Sequence, residues 1–241
     1  NKAFFKSNTL IFKLMLLLKR TIITLIIILN CISANSHVQH YENLNLIKFD
    51  IYRNGKLIGY HSFSFKKNGN NLSVKSDIKF EIKKFGVVIY KYKVSGTEVY
   101  EDGNLIKFNS ITNQNGKNKY VNLVLKDEKY IIDGSSYKGS ASIDSSLGTW
   151  WNHSGISSNV QISAVSGRLI EQKVTFLGKE TISFNGKEYE ALRYNFSSTD
   201  KKLKKNKKLN TDIWYDEKTL NWIKASFNKK GEWEYKIAEI K

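Results

Sequence analysis

The sequence predicts an all-β fold: a single large antiparallel meander sheet, strongly curved into an incomplete or closed barrel, with one short helix or plug near residues 144–153. Three observations predict it. Apolar residues recur with period two along most of the chain beyond residue 40, which is the strand period and not the helical one. Dipeptides that favour φ > 0 separate the alternating runs at hairpin spacing. Proline is absent from all 241 residues, so glycine turns carry the punctuation that proline shares elsewhere.

The elements follow in chain order. Ile47, Phe49 and Ile51 alternate with polar neighbours in a strand over 45–53, and Asn54-Gly55 turns the chain into a strand over 57–65. Asn68-Gly69 leads into 72–83, where Leu72, Val74, Ile78, Phe80 and Ile82 share a face. Strands over 86–101, 105–113, 118–126 and 129–133 follow, with Asp102-Gly103, Asn115-Gly116 and Asp133-Gly134 as turn signals. Residues 135–159, rich in Ser and Gly, do not alternate, and Asp144 or Ser145 is placed to cap a short helix. Alternation then resumes in strands over 160–165, 169–177, 180–184, 187–197, 211–216, 221–228 and 231–240, with Asn185-Gly186 and Lys230-Gly231 as further turns. No linker divides this stretch, so residues 37–241 form one secreted β domain.

The N-terminus reads differently. Residues 1–36 hold Lys2, Lys6, Lys13, Lys19 and Arg20 and no acid. Lys19-Arg20 precede an apolar run from Thr21 to Leu29 and then small residues ending Ala34-Asn35-Ser36. This is the pattern of a secretory signal peptide, with cleavage expected after Ala34 or Ser36 and a periplasmic or secreted destination. The run is short for a bilayer span. The single methionine, Met15, is a candidate start, which would leave 1–14 upstream of it. Asn30 before Cys31 departs from the small residue that a lipobox requires. Cleavage would leave a chain without cysteine, as suits an oxidising compartment.

Formal net charge is +17, from 39 Lys+Arg and 22 Asp+Glu. Four of the basic residues are Arg, while Lys, Asn and Ile are abundant. With no proline, this is the composition an AT-rich genome gives, so global charge says little about partners. The local cluster Lys201, Lys202, Lys204, Lys205, Lys207 and Lys208 says more. It lies between two strands and could contact anionic lipid headgroups, lipopolysaccharide phosphates or acidic glycans. A solvated loop is the plain alternative. The run lacks interleaved stacking aromatics, and no nucleic-acid partner is expected.

Two aromatic clusters are candidate ligand or plug residues. Trp150, Trp151 and Asn152 could form an aromatic wall for an apolar or sugar ligand, or a core plug whose Asn ties down loop backbone; the burial tendency of Trp favours the plug. Trp214, Tyr215 and Asp216 end a strand, where Asp216 could orient a ligand or make an Asx turn. His61 shares a face with Phe63 and Phe65 and is expected in the core or at its rim. The histidines match no zinc spacing, and no cofactor is expected. His37 is a weak copper or nickel candidate, because cleavage would place it at or near a free amine. No nucleophile elbow or phosphate loop is present, so an enzyme is not expected.

Several of these segments together resemble a known family. They are Asp50–His61 (DIYRNGKLIGYH), the strand of Tyr90 and Tyr92 with Glu98-Val99-Tyr100, Thr149-Trp150-Trp151-Asn152, and Asp212-Ile213-Trp214-Tyr215-Asp216. Their order and spacing over residues 41–240 resemble an uncharacterised family of exported bacterial β-proteins, a domain of unknown function. That family is distantly similar to half-barrel, lipoprotein-carrier-like periplasmic proteins. The lysine-rich stretch at 201–208 departs from its pattern. The resemblance implies a periplasmic, single-domain antiparallel β fold and implies no activity. Two functions follow as expectations: binding of a lipid or other apolar or amphipathic envelope ligand, or an envelope structural or interaction protein with a filled core and a lysine-rich docking loop. An outer-membrane barrel would also alternate, but the end Ile237–Lys241 lacks the usual terminal aromatic. Oligomeric state leaves no signal in the sequence.

Overall fold

The computed structural model describes residues 41, 43–204 and 207–241, all within the unit His37–Lys241. The expected signal peptide with Met15, Cys31 and its two cleavage positions, together with His37 and Lys205, lies outside the described residues.

Among the described residues the chain forms fifteen strands in one sheet. They are β1 Leu46–Arg53, β2 Lys56–Asn68, β3 Asn71–Lys84, β4 Val87–Glu101, β5 Asn104–Gln114, β6 Lys117–Lys126, β7 Lys129–Gly134, β8 Tyr137–Ser142, β9 Ser146–Leu147, β10 Val160–Ile162, β11 Leu169–Phe184, β12 Lys187–Ser198, β13 Asn210–Asp216, β14 Trp222–Asn228 and β15 Glu232–Ile240. The expected all-β curved sheet is present, with a more specific topology than a plain meander. The order runs β8 back to β1, then β15 back to β9. The first and last strands pair antiparallel, from Ile47–Ile240 to Arg53–Trp233. The sheet is a ring of neighbours left open between β8 and β9, which the chain itself joins through three residues. Every pairing is antiparallel except β9 with β10.

Inward and outward residues alternate as the period predicts. Phe49, His61, Ile78, Val94 and Thr112 stand opposite one another across β1 to β5 and are buried or half-buried. The interior is aromatic: Trp151, Trp222, Tyr41, Tyr215, Phe49 and Phe63 are enclosed. Each such side chain contributes on the order of 2 kcal/mol by its removal from water.

Four expectations need correction. The stretch 135–159 is not strand-free, since β8 and β9 lie in it; small residues such as Gly139 and Ala141 hid the alternation. The short helix is a 3-10 turn at His153–Ser157 capped by Asn152, whose Oδ1 accepts from the Ser154 N–H at 3.0 Å. Asp144 and Ser145 cap nothing; they belong to a turn closed by the Ser145 N–H on Ser142 O. The segments 169–177 and 180–184 are one strand, β11, with a register shift at Gly178 (φ +125), a conformation glycine supplies cheaply.

Asp133-Gly134 is the fourth. Gly134 is a strand residue of β7 opposite Val121, and the turn is Ser135-Ser136. Glycine is needed there for space, because a Cβ would lie 2.6 Å from Ser166 O. The turn between β10 and β11 reaches across the interior at this point. The Ser110 hydroxyl donates to Ala164 O at 2.6 Å and the Ser136 N–H to Ser166 O at 2.9 Å. This strap ties the β10–β11 side of the ring to β5 and the β7–β8 turn.

Because neighbouring strands alternate in direction, the connections β1–β2, β3–β4, β5–β6, β7–β8, β10–β11, β12–β13 and β14–β15 share one end of the sheet. The lysine-rich stretch joins β12 to β13 and so lies at that end. The opposite end mixes acids (Asp102, Asp127, Glu128, Glu217) with lysines (Lys187, Lys218). No helix among the described residues is long and apolar enough to cross a membrane.

Candidate functional site: a plugged interior and a basic rim

The 148–157 segment folds into the interior. Trp150 adopts φ +62, which reverses the chain and sends Trp151 inward. The Trp151 ring is fully enclosed, edge-on to Tyr41, Phe65 and Tyr100 at centroid distances of 5.0, 5.2 and 5.6 Å. Its indole Nε1–H donates to Glu98 Oε1 at 2.8 Å, and the Tyr100 hydroxyl donates to Glu98 Oε2 at 2.5 Å. Thr149 also hydrogen-bonds Glu98, and Asn152 hydrogen-bonds Tyr100. Burial pushes the Glu98 carboxyl up to about 7, against the opposing pull of these donors. The plug is therefore latched to β4 through a buried acid. Tyr41 fastens the next turn: the His153 N–H donates to its hydroxyl oxygen at 3.2 Å.

His61 is fully buried against Phe63 and Trp222. Its Nε2 lies 3.2 Å from Ser76 Oγ, Nδ1 has no hydrogen-bond partner among the described residues, and burial pushes its pKa down to about 3. Among the described residues no three His, Cys, Asp or Glu side chains gather as a metal cluster.

The second aromatic cluster does not act as a unit. Tyr215 points inward and its hydroxyl donates to Trp150 O at 3.0 Å, so it braces the plug. Trp214 lies on the opposite face of the strand and is buried there between the Arg193 guanidinium at 4.8 Å and the Lys224 ammonium at 4.6 Å, with its indole N–H bonded to Glu180. Asp216 forms the turn, accepting from the Thr219 N–H at 3.0 Å.

Above the plug, Trp150 is only half-buried and borders an open cavity of about 570 Å³. Leu209, Thr211 and Phe227 line its walls, and Lys208 and Lys229 its edge. Lys201, Lys202, Lys204, Lys207 and Lys208 are exposed on the adjoining connection. Arg168 donates to Lys207 O at 3.2 Å and pins that connection to the rim. The Lys229 ammonium is pushed down by partial desolvation and then by the like charges of Arg168 and Lys119. No acid is ion-paired with Lys229 or Lys208 among the described residues. A cavity of this size with an aromatic floor and an uncompensated basic edge suits an anion carrying an apolar body.

Residues 49–238 match the family described as a domain of unknown function, DUF6134. The chain belongs to this family. No curated protein matches its sequence. In the solved structures, the DUF6134 chain is similar to a β-barrel-like protein of domain of unknown function DUF1849 from Brucella abortus, with 8% identity and a TM-score of 0.57 over 82% of this chain and 97% of that one. That likeness shows the fold. A DUF1329 family protein from Desulfovibrio piger is matched at 11% identity over 85% of this chain and 89% of that one, with a TM-score of 0.24 that supports no further comparison.

In this DUF6134 domain the segments that carry the resemblance meet in space. Glu98 and Tyr100 of one touch Trp151 of another, and Tyr215 of a third touches Trp150. Sequence reasoning placed Glu98 in a motif but not in a site. Its signal was an acid on the inward parity of β4, between Val94 and Tyr100, where an apolar residue is expected. Lys229 and Arg168 left no such signal, because nothing in the spacing joins them.

Proposed function

We propose that the domain is a binding module of the bacterial cell envelope whose ligand is an anionic amphiphile. Its apolar part rests on Trp150, Leu209 and Phe227, and its anionic group meets Lys208 and Lys229. The observation that carries this reading is the rim cavity of about 570 Å³, which joins an aromatic floor to cations that have no ion-paired acid among the described residues. The filled lower interior, with Trp151 and Trp222 enclosed, favours a ligand held at the rim over one swallowed by the sheet. The reading assigns binding and not catalysis, and takes the basic N-terminal pattern of 1–36 as the export signal.

Titration of the protein with dodecyl phosphate, followed by tryptophan fluorescence, tests it. Saturable binding is expected, weakened about tenfold or more when Lys208 and Lys229 are both replaced by Ser. An equal response to neutral dodecyl maltoside, or none to either, overturns the reading.

A further inference from the structure

The β3–β4 hairpin extends past the β5–β6 turn and separates from the start of β2, leaving an open cleft between Lys56–Ile58 and the Glu81–Gly86 side of the ribbon. Pairing of β2 with β3 stops at Gly59–Phe80, and pairing of β4 with β5 stops at Tyr92–Gln114. From Glu81 to Lys91 the two strands pair with each other, and Asn115 hydrogen-bonds the base of this ribbon at Lys91. A two-stranded ribbon with open edges gains little stability of its own in water.

Its tip is Phe85-Gly86, with both residues at positive φ. Phe85 is 95% exposed at φ +49, with the Lys84 ammonium 5.6 Å from its ring. A bulky side chain is costly in that conformation, where Asn or Gly is the usual choice. Phe85 therefore gains neither burial nor backbone ease from the fold. Val87 and Ile89 are also exposed, at 65% and 53%. Lys83, Lys84, Lys91 and Lys93 flank these apolar residues, and all are exposed. Among the described residues, Lys91 alone of these four is ion-paired, with Glu81 at 3.8 Å. The tip lies at the same end of the sheet as the lysine-rich connection and the rim cavity.

We propose that the β3–β4 hairpin is a membrane wedge: Phe85, Val87 and Ile89 enter the interfacial layer of an anionic lipid bilayer, and the flanking lysines meet its headgroups. Apolar residues at a tip with a basic collar behind them match the layering of such a surface, where acyl chains lie beneath anionic heads. The collar also argues against a second copy as occupant, since two lysine-flanked hairpins repel each other. The inference rests on the reading above only in taking the basic end as the binding face.

Hydrogen exchange by mass spectrometry on the full chain, with and without vesicles, reads the hairpin separately from every other segment. With vesicles of phosphatidylglycerol and phosphatidylcholine, exchange over residues 84–90 is expected to slow several-fold. Phosphatidylcholine alone is expected to give no such protection. Replacing Phe85 and Val87 by Ser is expected to abolish the protection and weaken partitioning about tenfold, with exchange in the rest of the sheet unchanged. Protection confined to 199–209 overturns the wedge and leaves the rim reading standing. Unaltered exchange at 84–90 beside intact dodecyl phosphate binding does the same. Protection that needs no lipid and grows with protein concentration overturns it in favour of self-association.

Discussion

Glu98 and Lys229 are both ionisable groups whose surroundings disfavour their charge, and they differ in what surrounds them. Glu98 is enclosed, and Trp151, Tyr100 and Thr149 supply its hydrogen bonds. Lys229 stands at the edge of a cavity, and the charges that act on it are both positive. A perturbed group with its partners supplied from within belongs to the architecture. A perturbed group with like charges around it, beside open space, points to something from outside. Perturbation alone does not distinguish architecture from binding, while the balance of partners does.

The largest expected effect is at Trp151. Trp151→Ala removes the enclosed plug ring and a donor to Glu98, and is expected to cost about 3–5 kcal/mol, read from urea unfolding. A cost near zero would mean that the plug is not part of the folded core.

Glu98 makes stability depend on pH. Its pKa in the fold, about 7, lies above its ordinary 4.5. The folded state therefore binds the proton more tightly, and stability falls as pH rises from about 4.5 to about 7. Above that range the loss is complete, and below it that stability is fully present. Glu98→Gln removes the dependence, so the variant is expected to gain on the native chain by on the order of 3 kcal/mol across that window. His61 works in the opposite direction. Its pKa is about 3 in the fold against an ordinary 6.5, so stability falls as pH drops from about 6.5 towards 3. Between about 4.5 and 6.5 the two slopes oppose each other. The Glu98→Gln variant should therefore show His61 alone, with stability rising with pH where the native chain is nearly flat. Unfolding midpoints at a series of pH values check this.

The smallest effect lies at the other end. Phe85→Gly relieves a left-handed phenylalanine that touches little, and is expected to stabilise the domain by about 1 kcal/mol. The same variant should lose vesicle binding. A loss of stability would show that Phe85 serves the fold, and would remove the contrast between the two ends.

Much of this fold was legible in the sequence. Asn54-Gly55, Asp102-Gly103, Asn115-Gly116 and Asn185-Gly186 have positive φ at both positions, as their chemistry predicts. The inward parity of Leu72, Val74, Ile78, Phe80 and Ile82 matches the strand reading. What stayed hidden depended on distant partners. Gly134 looked like a turn because its reason is a carbonyl from Ser166. Strands β8 and β9 are short and made of small residues, so pairing and not alternation defines them. The rim cavity joins residues from four separate stretches, and no local pattern announces it. Trp214-Tyr215-Asp216, contiguous in sequence, divides between two faces and a turn because strand residues alternate.

The pairing of β1 with β15 also governs how the chain must fold. Every other ladder joins elements close in sequence, so hairpins can zip progressively from either side. The contact between Ile47 and Ile240 waits for nearly the entire chain. Closing so long a loop is entropically late and slow, and until it closes β1 and β15 each present an open edge. The seam should therefore form last, and changes confined to it should speed unfolding while leaving the initial folding rate almost untouched.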